Sequence, residues 1–458
     1  MKKIAVILLL LCLLRLFPVP AYADATGGCH TLQADRALAG SETYTGTAKA
    51  VILYELNTQT LVYAHNPDEL INPTGLIKLL TALIVLEEGN LDDMVTVRRS
   101  TLNSVAPGAV SAGLQAGEEL SLRDLLYCVM VSSANDAAAV MAEHVAGSQA
   151  DFVAKMNARA ATAGCVNTHF TNVHGLQDDR QRSTARDLAI LTELALRNDQ
   201  FRQMFAVTEY TLPATNLSPA RNLVTTNYLM DPSRPYYDER VTGGKPAAAS
   251  VSDRSVICTA QSGDSSYLCV VISAKARTSG GAVTRFTNFD EATKLLTLGF
   301  DGYAVQQVLG TQQPFGMYPV SGGENRVVVG PDAEVFALLP KEFDPQRLQF
   351  ADEPDGQVLR APLSAGTAVG TLLIYYDSVL IGQVALLSRH DVLLQGTSIR
   401  VPDEVGGKPA VLGTILKWIG IVLLIICIAA VAAVILLRRI NISRRRRAAA
   451  RTRQRRQL

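Results

Sequence analysis

Apolar residues dominate residues 48–56 and 60–64 on either side of a polar Asn57-Thr58-Gln59 turn, which predicts two β-strands. Over residues 76–88 the pattern becomes helical. Leu79, Leu80, Leu83, Ile84 and Leu86 crowd one side, and Pro73-Thr74-Gly75 stands ahead of them as a helix-start signal. Helical patterns recur at 122–130, 135–145, 150–163 and 185–197, strands return at 255–260 and 267–274, and 289–298 reads as a closing helix. This order predicts an α/β (α+β) domain with an all-helical block inside it. Residues 303–400 differ. Short alternating runs at 326–329, 334–339, 369–376 and 379–387 are punctuated by Gly, Pro and Asp, as in a small β-sandwich. No internal repeat is visible.

The two ends of the 458-residue chain add a membrane context. Lys2-Lys3, an apolar run over residues 4–14 and Ala21-Tyr22-Ala23 make residues 1–23 a signal peptide cleaved before Asp24. Arg15 weakens that apolar run, and an uncleaved anchor is the other reading. Residues 418–437 are apolar for long enough to cross a bilayer as one helix. The tail 438–458 holds ten arginines and no acid, so the positive-inside rule puts it in the cytoplasm and the main domains outside. The expected protein is therefore a single-pass cell-membrane protein. Its parts are a domain over 24–300, a β-rich domain over 301–402, a linker over 403–417, the transmembrane helix and the Arg-rich tail.

The formal net charge of +1 hides an acidic body. Without the two ends, 30 basic residues face 42 acidic ones, which argues against a nucleic-acid partner. Of seven cysteines, five lie outside the signal and the membrane helix. Cys258 and Cys269 stand opposite each other if Gly263-Asp264 is a two-residue hairpin turn, at a hydrogen-bonded pair where the backbones are farther apart, so a disulfide there is left open. No Cys-x-x-Cys or His-x-x-x-His spacing appears, and neither a metal nor another cofactor is expected.

Four segments carry recognisable chemistry in order. They are Asn72-Pro73-Thr74-Gly75-Leu76-Ile77-Lys78, Ser132-Ser133-Ala134-Asn135-Asp136, His174-Gly175-Leu176 with Ser183-Thr184-Ala185-Arg186-Asp187 after it, and Gly244-Lys245-Pro246-Ala247 before Val256-Ile257-Cys258-Thr259-Ala260. Over roughly residues 40–300 this arrangement resembles the serine-type, penicillin-binding D-alanyl-D-alanine carboxypeptidases. Their motifs are Ser-x-x-Lys at a helix start, Ser-x-Asn on a loop and Lys-Thr-Gly on a strand. The resemblance implies a penicillin-binding/β-lactamase-like transpeptidase fold followed by a β-rich domain. It also implies a catalytic set of Lys78, Ser133, Asn135 and Lys245 and substrate contacts from His174, Gly175, Pro246 and Ala247.

Two motifs depart from the family. Gly75 occupies the nucleophile position, and Lys245-Pro246-Ala247 replaces Lys-Thr-Gly. Glycine has no side chain to acylate. Pro246 removes a hydroxyl and a backbone N–H, and Ala247 adds a methyl where the backbone is otherwise bare. One expectation is thus a pseudoenzyme that binds D-Ala-D-Ala-ended peptidoglycan stem peptides or an envelope protein. The other is a carboxypeptidase that uses a displaced hydroxyl such as Thr74. A β-lactamase needs the same missing serine. Plainer roles are also open: Lys78 can pair a buried carboxylate or cap backbone carbonyls, and Ser133 can be a helix N-cap.

Overall fold

The computed structural model describes residues 32, 37–39, 44–323, 326–354 and 359–395. The segments read as signal peptide (1–23), linker (403–417), membrane helix (418–437) and cytoplasmic tail (438–458) lie outside them. Among the described residues no helix is long and apolar enough to cross a membrane.

β1 (Ala50–Glu55) and β2 (Thr60–His65) pair antiparallel. A 3-10 turn, Thr74–Ile77, then runs straight into α1 (Lys78–Glu88). A short antiparallel pair, β3 (Met94–Thr96) and β4 (Glu119–Ser121), flanks α2 (Arg99–Asn103). The helical block follows as α3 (Leu122–Ser132), α4 (Asn135–Ala146), α5 (Gln149–Thr162), α6 (Ala185–Leu196) and α7 (Asp199–Phe205). Local chemistry sets several of its starts. Ser121, Ser148, Thr184 and Asn198 each accept a hydrogen bond from the backbone N–H three residues on, and Asp124, Asp151 and Asp187 place negative charge in a first turn. The ribbon β5 (Glu209–Leu212) and β6 (Arg221–Val224) closes the block.

The chain then returns to the main sheet as β7 (Val241–Ala248), β8 (Asp253–Ser262) and β9 (Ser265–Lys275). A small hairpin, β10 (Arg277–Ser279) and β11 (Ala282–Arg285), precedes α8 (Thr287–Gly302). The sheet is antiparallel in the order β2-β1-β9-β8-β7. Its strands are apolar on both faces because both faces are covered. Ala50, Ile52 and Tyr54 of β1 and Leu268, Val270 and Ile272 of β9 enter the core shared with the helical block, whereas Val51, Leu53, Tyr267, Cys269 and Val271 pack with α8. β7 is an edge strand, the place in a sheet where Pro246 is tolerated. Cys258 and Cys269 are directly opposed across β8 and β9 as free buried thiols, and the neighbouring Cys258 thiol together with burial pushes Cys269 well up.

After α8 the chain is β-rich. Strands β12 (Tyr303–Leu309), β13 (Gly316–Tyr318), β14 (Val327–Pro331), β15 (Val335–Pro340), β16 (Leu348–Pro354), β17 (Ala368–Tyr376) and β18 (Val379–Ser388) form a five-stranded sheet, β13-β14-β18-β17-β16, and a β12–β15 pair. Val335, Ala337 and Leu339 of the pair share one apolar cluster with Leu372, Ile374 and Leu386 of the larger sheet. That cluster continues onto the α8 face of the main sheet, so the two parts of the chain are joined by apolar packing as well as by the backbone.

Glu291 of α8 fixes where the chain enters β1. Its buried carboxylate accepts hydrogen bonds from Thr47 N–H (2.7 Å), the Thr47 hydroxyl (2.8 Å), Ala48 N–H (3.1 Å) and the Tyr44 hydroxyl. Removing it leaves the buried Ala48 N–H with only the longer 3.3 Å bond to the Tyr44 hydroxyl. Glu291→Ala should therefore cost about 2 kcal/mol of stability, read as a lower urea midpoint with an unchanged slope. An unshifted midpoint would show that the clamp contributes nothing.

Candidate active site

The motif segments converge on a cleft of about 360 Å³ between the start of α1, the α3–α4 junction and the edge of β7. Gly75, Lys78, Ser133, Asn135, His174, Gly175, Pro246 and Ala247 all line it. Lys245 does not.

Lys78 is the first residue of α1, and only 2% of its surface is exposed. Its Nζ donates to Asn135 Oδ1 at 2.9 Å and to the His174 carbonyl at 2.5 Å. The ammonium therefore ties α1 to α4 and to the His174-Gly175 loop, which is the carbonyl-capping role its chemistry allows. Burial pulls its pKa down to about 7, against a partial upward pull from Asp136. Burial and Lys78 likewise lower His174 to about 4, so that imidazole is neutral at ordinary pH.

Ser133 ends α3 in the left-handed conformation (φ 61°), and Ala134 rather than Ser133 is the N-cap of α4, so the N-cap role does not hold. The reversal puts Ser133 on the cleft wall and Asn135 at the first position of α4. Asn135 Nδ2 and its backbone N–H both reach the Val110 carbonyl at 2.8 Å. Asp136 accepts from the Ser111 hydroxyl (2.5 Å), Ala112 N–H (3.0 Å) and Leu114 N–H (3.1 Å). Together they pin the 110–114 loop, whose neighbours Gly108 and Ala109 complete that wall.

A Cβ built on Gly75 would lie 3.5 Å from Lys78 Nζ, 3.6 Å from Ala247 Cβ and 3.7 Å from Ser133 Oγ. These are ordinary van der Waals contacts, so the position has room for a side chain and lacks one. Gly175 is the opposite case. At φ +83° a Cβ there would fall 1.9 Å from the Thr74 carbonyl oxygen, and the His174-Gly175 loop can press on the Thr74-Gly75 backbone only as glycine. Thr74 holds a strained positive φ of 49°, and its buried Oγ1 has no hydrogen-bond partner among the described residues. It lines a neighbouring cavity with Asn72, Gln177 and Ala249, not the wall that Lys78 faces.

Lys245 was expected in the cleft and is found beneath it. Its Nζ donates to the carbonyls of Val129 (2.7 Å) and Met130 (3.3 Å) near the C-terminal end of α3, and burial and Lys78 hold its pKa well below the usual range. The far end of the cleft carries residues that motif reading missed: Thr226, Arg254, Phe286, Asn288 and Phe289. One signal was available. Arg254 stands opposite Ala248 in the β7–β8 register, which a hairpin extended from Lys245-Pro246-Ala247 would give. Among the described residues no group of three His, Cys, Asp or Glu side chains is placed to hold a metal ion.

The family model for D-alanyl-D-alanine carboxypeptidase matches residues 37–276. The chain is similar to D-alanyl-D-alanine carboxypeptidase DacF of Bacillus subtilis, with 25% identity over 76% of this chain and 87% of the relative. It is also similar to D-alanyl-D-alanine carboxypeptidase DacC of Escherichia coli, with 29% identity over 78% of this chain and 87% of the relative. Among solved structures, penicillin-binding protein 5 of Haemophilus influenzae superposes with a TM-score of 0.61 at 27% identity, covering 77% of this chain and all of that one. A family match over more than half of the sequence, on a fold that brings the first two motifs and the Pro246-Ala247 edge of the third to one cleft, means that this chain belongs to the D-alanyl-D-alanine carboxypeptidase family.

Proposed function

We infer that this protein binds D-Ala-D-Ala-ended peptidoglycan stem peptides, or an envelope partner, in the Lys78 cleft and does not hydrolyse them. The observation that carries this reading is Gly75. Hydrolysis by the family's route needs a hydroxyl oxygen that attacks the penultimate D-alanine carbonyl and expels terminal D-alanine. At residue 75 that oxygen is absent, although Lys78 and Ser133 stand around the vacant volume. Losing one oxyanion donor costs about 10²–10³ in rate, whereas losing the attacking group removes the covalent route. Thr74 is a poor substitute, because its hydroxyl has no hydrogen-bonded base and lines the neighbouring cavity. Pro246 and Ala247 further strip the β7 edge of the hydroxyl and bare backbone that the family's third motif offers a substrate.

The proposed setting is the cell envelope. The signal-like residues 1–23, the apolar stretch 418–437 and the arginine tail support a body outside, one C-terminal anchor and a cytoplasmic tail, with the domain limits set out above. Protease added to intact cells stripped of wall should digest the body and spare the tail. A protected body with a cut tail would reverse this topology.

Fluorescent penicillin should leave the wild-type protein unlabelled. Gly75→Ser alone should label weakly, because the third motif is still damaged. Adding Pro246→Thr and Ala247→Gly should give measurable acylation. In that triple variant labelling should rise with pH through about 7, because Lys78 acts as base only when neutral and its depressed pKa puts the neutral amine above that value. Wild-type labelling that disappears in Thr74→Ala would overturn the non-catalytic reading.

A further inference from the structure

The far end of the cleft holds a cation without an anion. Arg254 lines the wall from β8, its guanidinium carbon 5.0 Å above the centre of the Phe286 ring, and its Nε donates to the Val251 carbonyl at 3.1 Å. Among the described residues no carboxylate forms an ion pair with it, and no acidic side chain lines the cleft at all. Arg254 also differs from the two lysines. Burial pulls Lys78 and Lys245 toward neutrality and lowers Arg254 as well, but a guanidinium starts high enough to keep its charge.

A second, independent group points the same way. Asn288, 1% exposed in the first turn of α8, donates from Nδ2 to the Ser255 carbonyl at 3.4 Å, while its buried Oδ1 has no donor among the described residues. A buried acceptor left open on a cleft wall costs free energy unless a ligand supplies an N–H. One anion-seeking cation and one N–H-seeking acceptor thus share a wall of the cleft.

We propose that Arg254 is the carboxylate-binding residue of this cleft, holding the free C-terminus of a peptide while Asn288 Oδ1 accepts a peptide N–H of the same ligand. Resting on the peptide-binding reading above, it moves recognition from the damaged β7 edge to the next strand. A planar guanidinium held over the Phe286 ring presents paired N–H donors to a carboxylate, which a lysine cannot reproduce.

The test uses the full-length protein in detergent and isothermal titration with four probes. These are a D-Ala-D-Ala-ended peptide, its C-terminal amide, and the same pair ending in L-Ala-L-Ala. The wild type should prefer the D,D acid over its amide by about ten- to a hundredfold, the scale of a charge-assisted hydrogen-bonded pair. Arg254→Ala should erase that preference with little change for the amide, and Arg254→Lys should restore only part of it. Asn288→Ala should weaken acid and amide alike, because it acts on the N–H. An unchanged acid preference in Arg254→Ala would overturn the assignment while leaving the peptide-binding reading intact. Equal affinity for the D,D and L,L acids, both lost in Arg254→Ala, would keep Arg254 and refute the stem-peptide reading. No binding of any probe by the wild type would refute both.

Discussion

A lysine ammonium buried where three segments meet constrains the whole site. Taking Lys78 out of water is costly, and the protein offsets that cost with an amide oxygen from α4 and a main-chain carbonyl from the His174-Gly175 loop. Those bonds hold the loop against the start of α1, where Gly175 lies too close to the Thr74 carbonyl to carry any side chain. They also fix the α3–α4 reversal, because Asn135 uses its other end to hold the Val110 carbonyl. A pKa near 7 is the physical mark of the same burial, since the neutral amine is cheaper to keep dry. None of these bonds involves a nucleophile, so the architecture stands without one.

The three departures from the family pattern act at one place. Gly75 removes the attacking atom, Pro246 removes a donor from the edge strand and Ala247 faces the vacated volume at 3.6 Å. Lys245 is occupied with the last carbonyls of α3, where it fastens the strand to the helix. What survives is a shaped cleft lined by one lysine, Lys78, that burial pulls toward neutrality, and by one arginine, Arg254, that keeps its charge. Such a surface suits retention of an anionic peptide end better than turnover of it.

Much of this was legible in the sequence because it is local. The strand runs that became β8 and β9, the helix of Lys78 and the capped starts of the helical block follow from period, cap and turn chemistry. So do the β-rich runs after α8. Motif spacing brought Gly75, Lys78, Ser133 and Asn135 together without any coordinate. Other features are set by neighbours far along the chain. β7 contains Gly243-Gly244-Lys245-Pro246, which no strand pattern would pick out, and forms because β8 offers it a partner. Lys245 is placed below the cleft by carbonyls more than a hundred residues away. Arg254 and Asn288 belong to no motif and reach the cleft only through the hairpin register and the start of α8. The segments read as signal, anchor and tail lie outside the described residues.

The central claim, a peptide site without hydrolysis, is tested most directly by equilibrium dialysis of the wild-type full-length protein against a pentapeptide ending in D-Ala-D-Ala. Mass spectrometry of the recovered ligand completes the measurement. Saturable binding with the pentapeptide recovered intact after prolonged incubation is the expected result. Release of free D-alanine at a rate proportional to protein concentration, or the absence of any saturable binding, would contradict it.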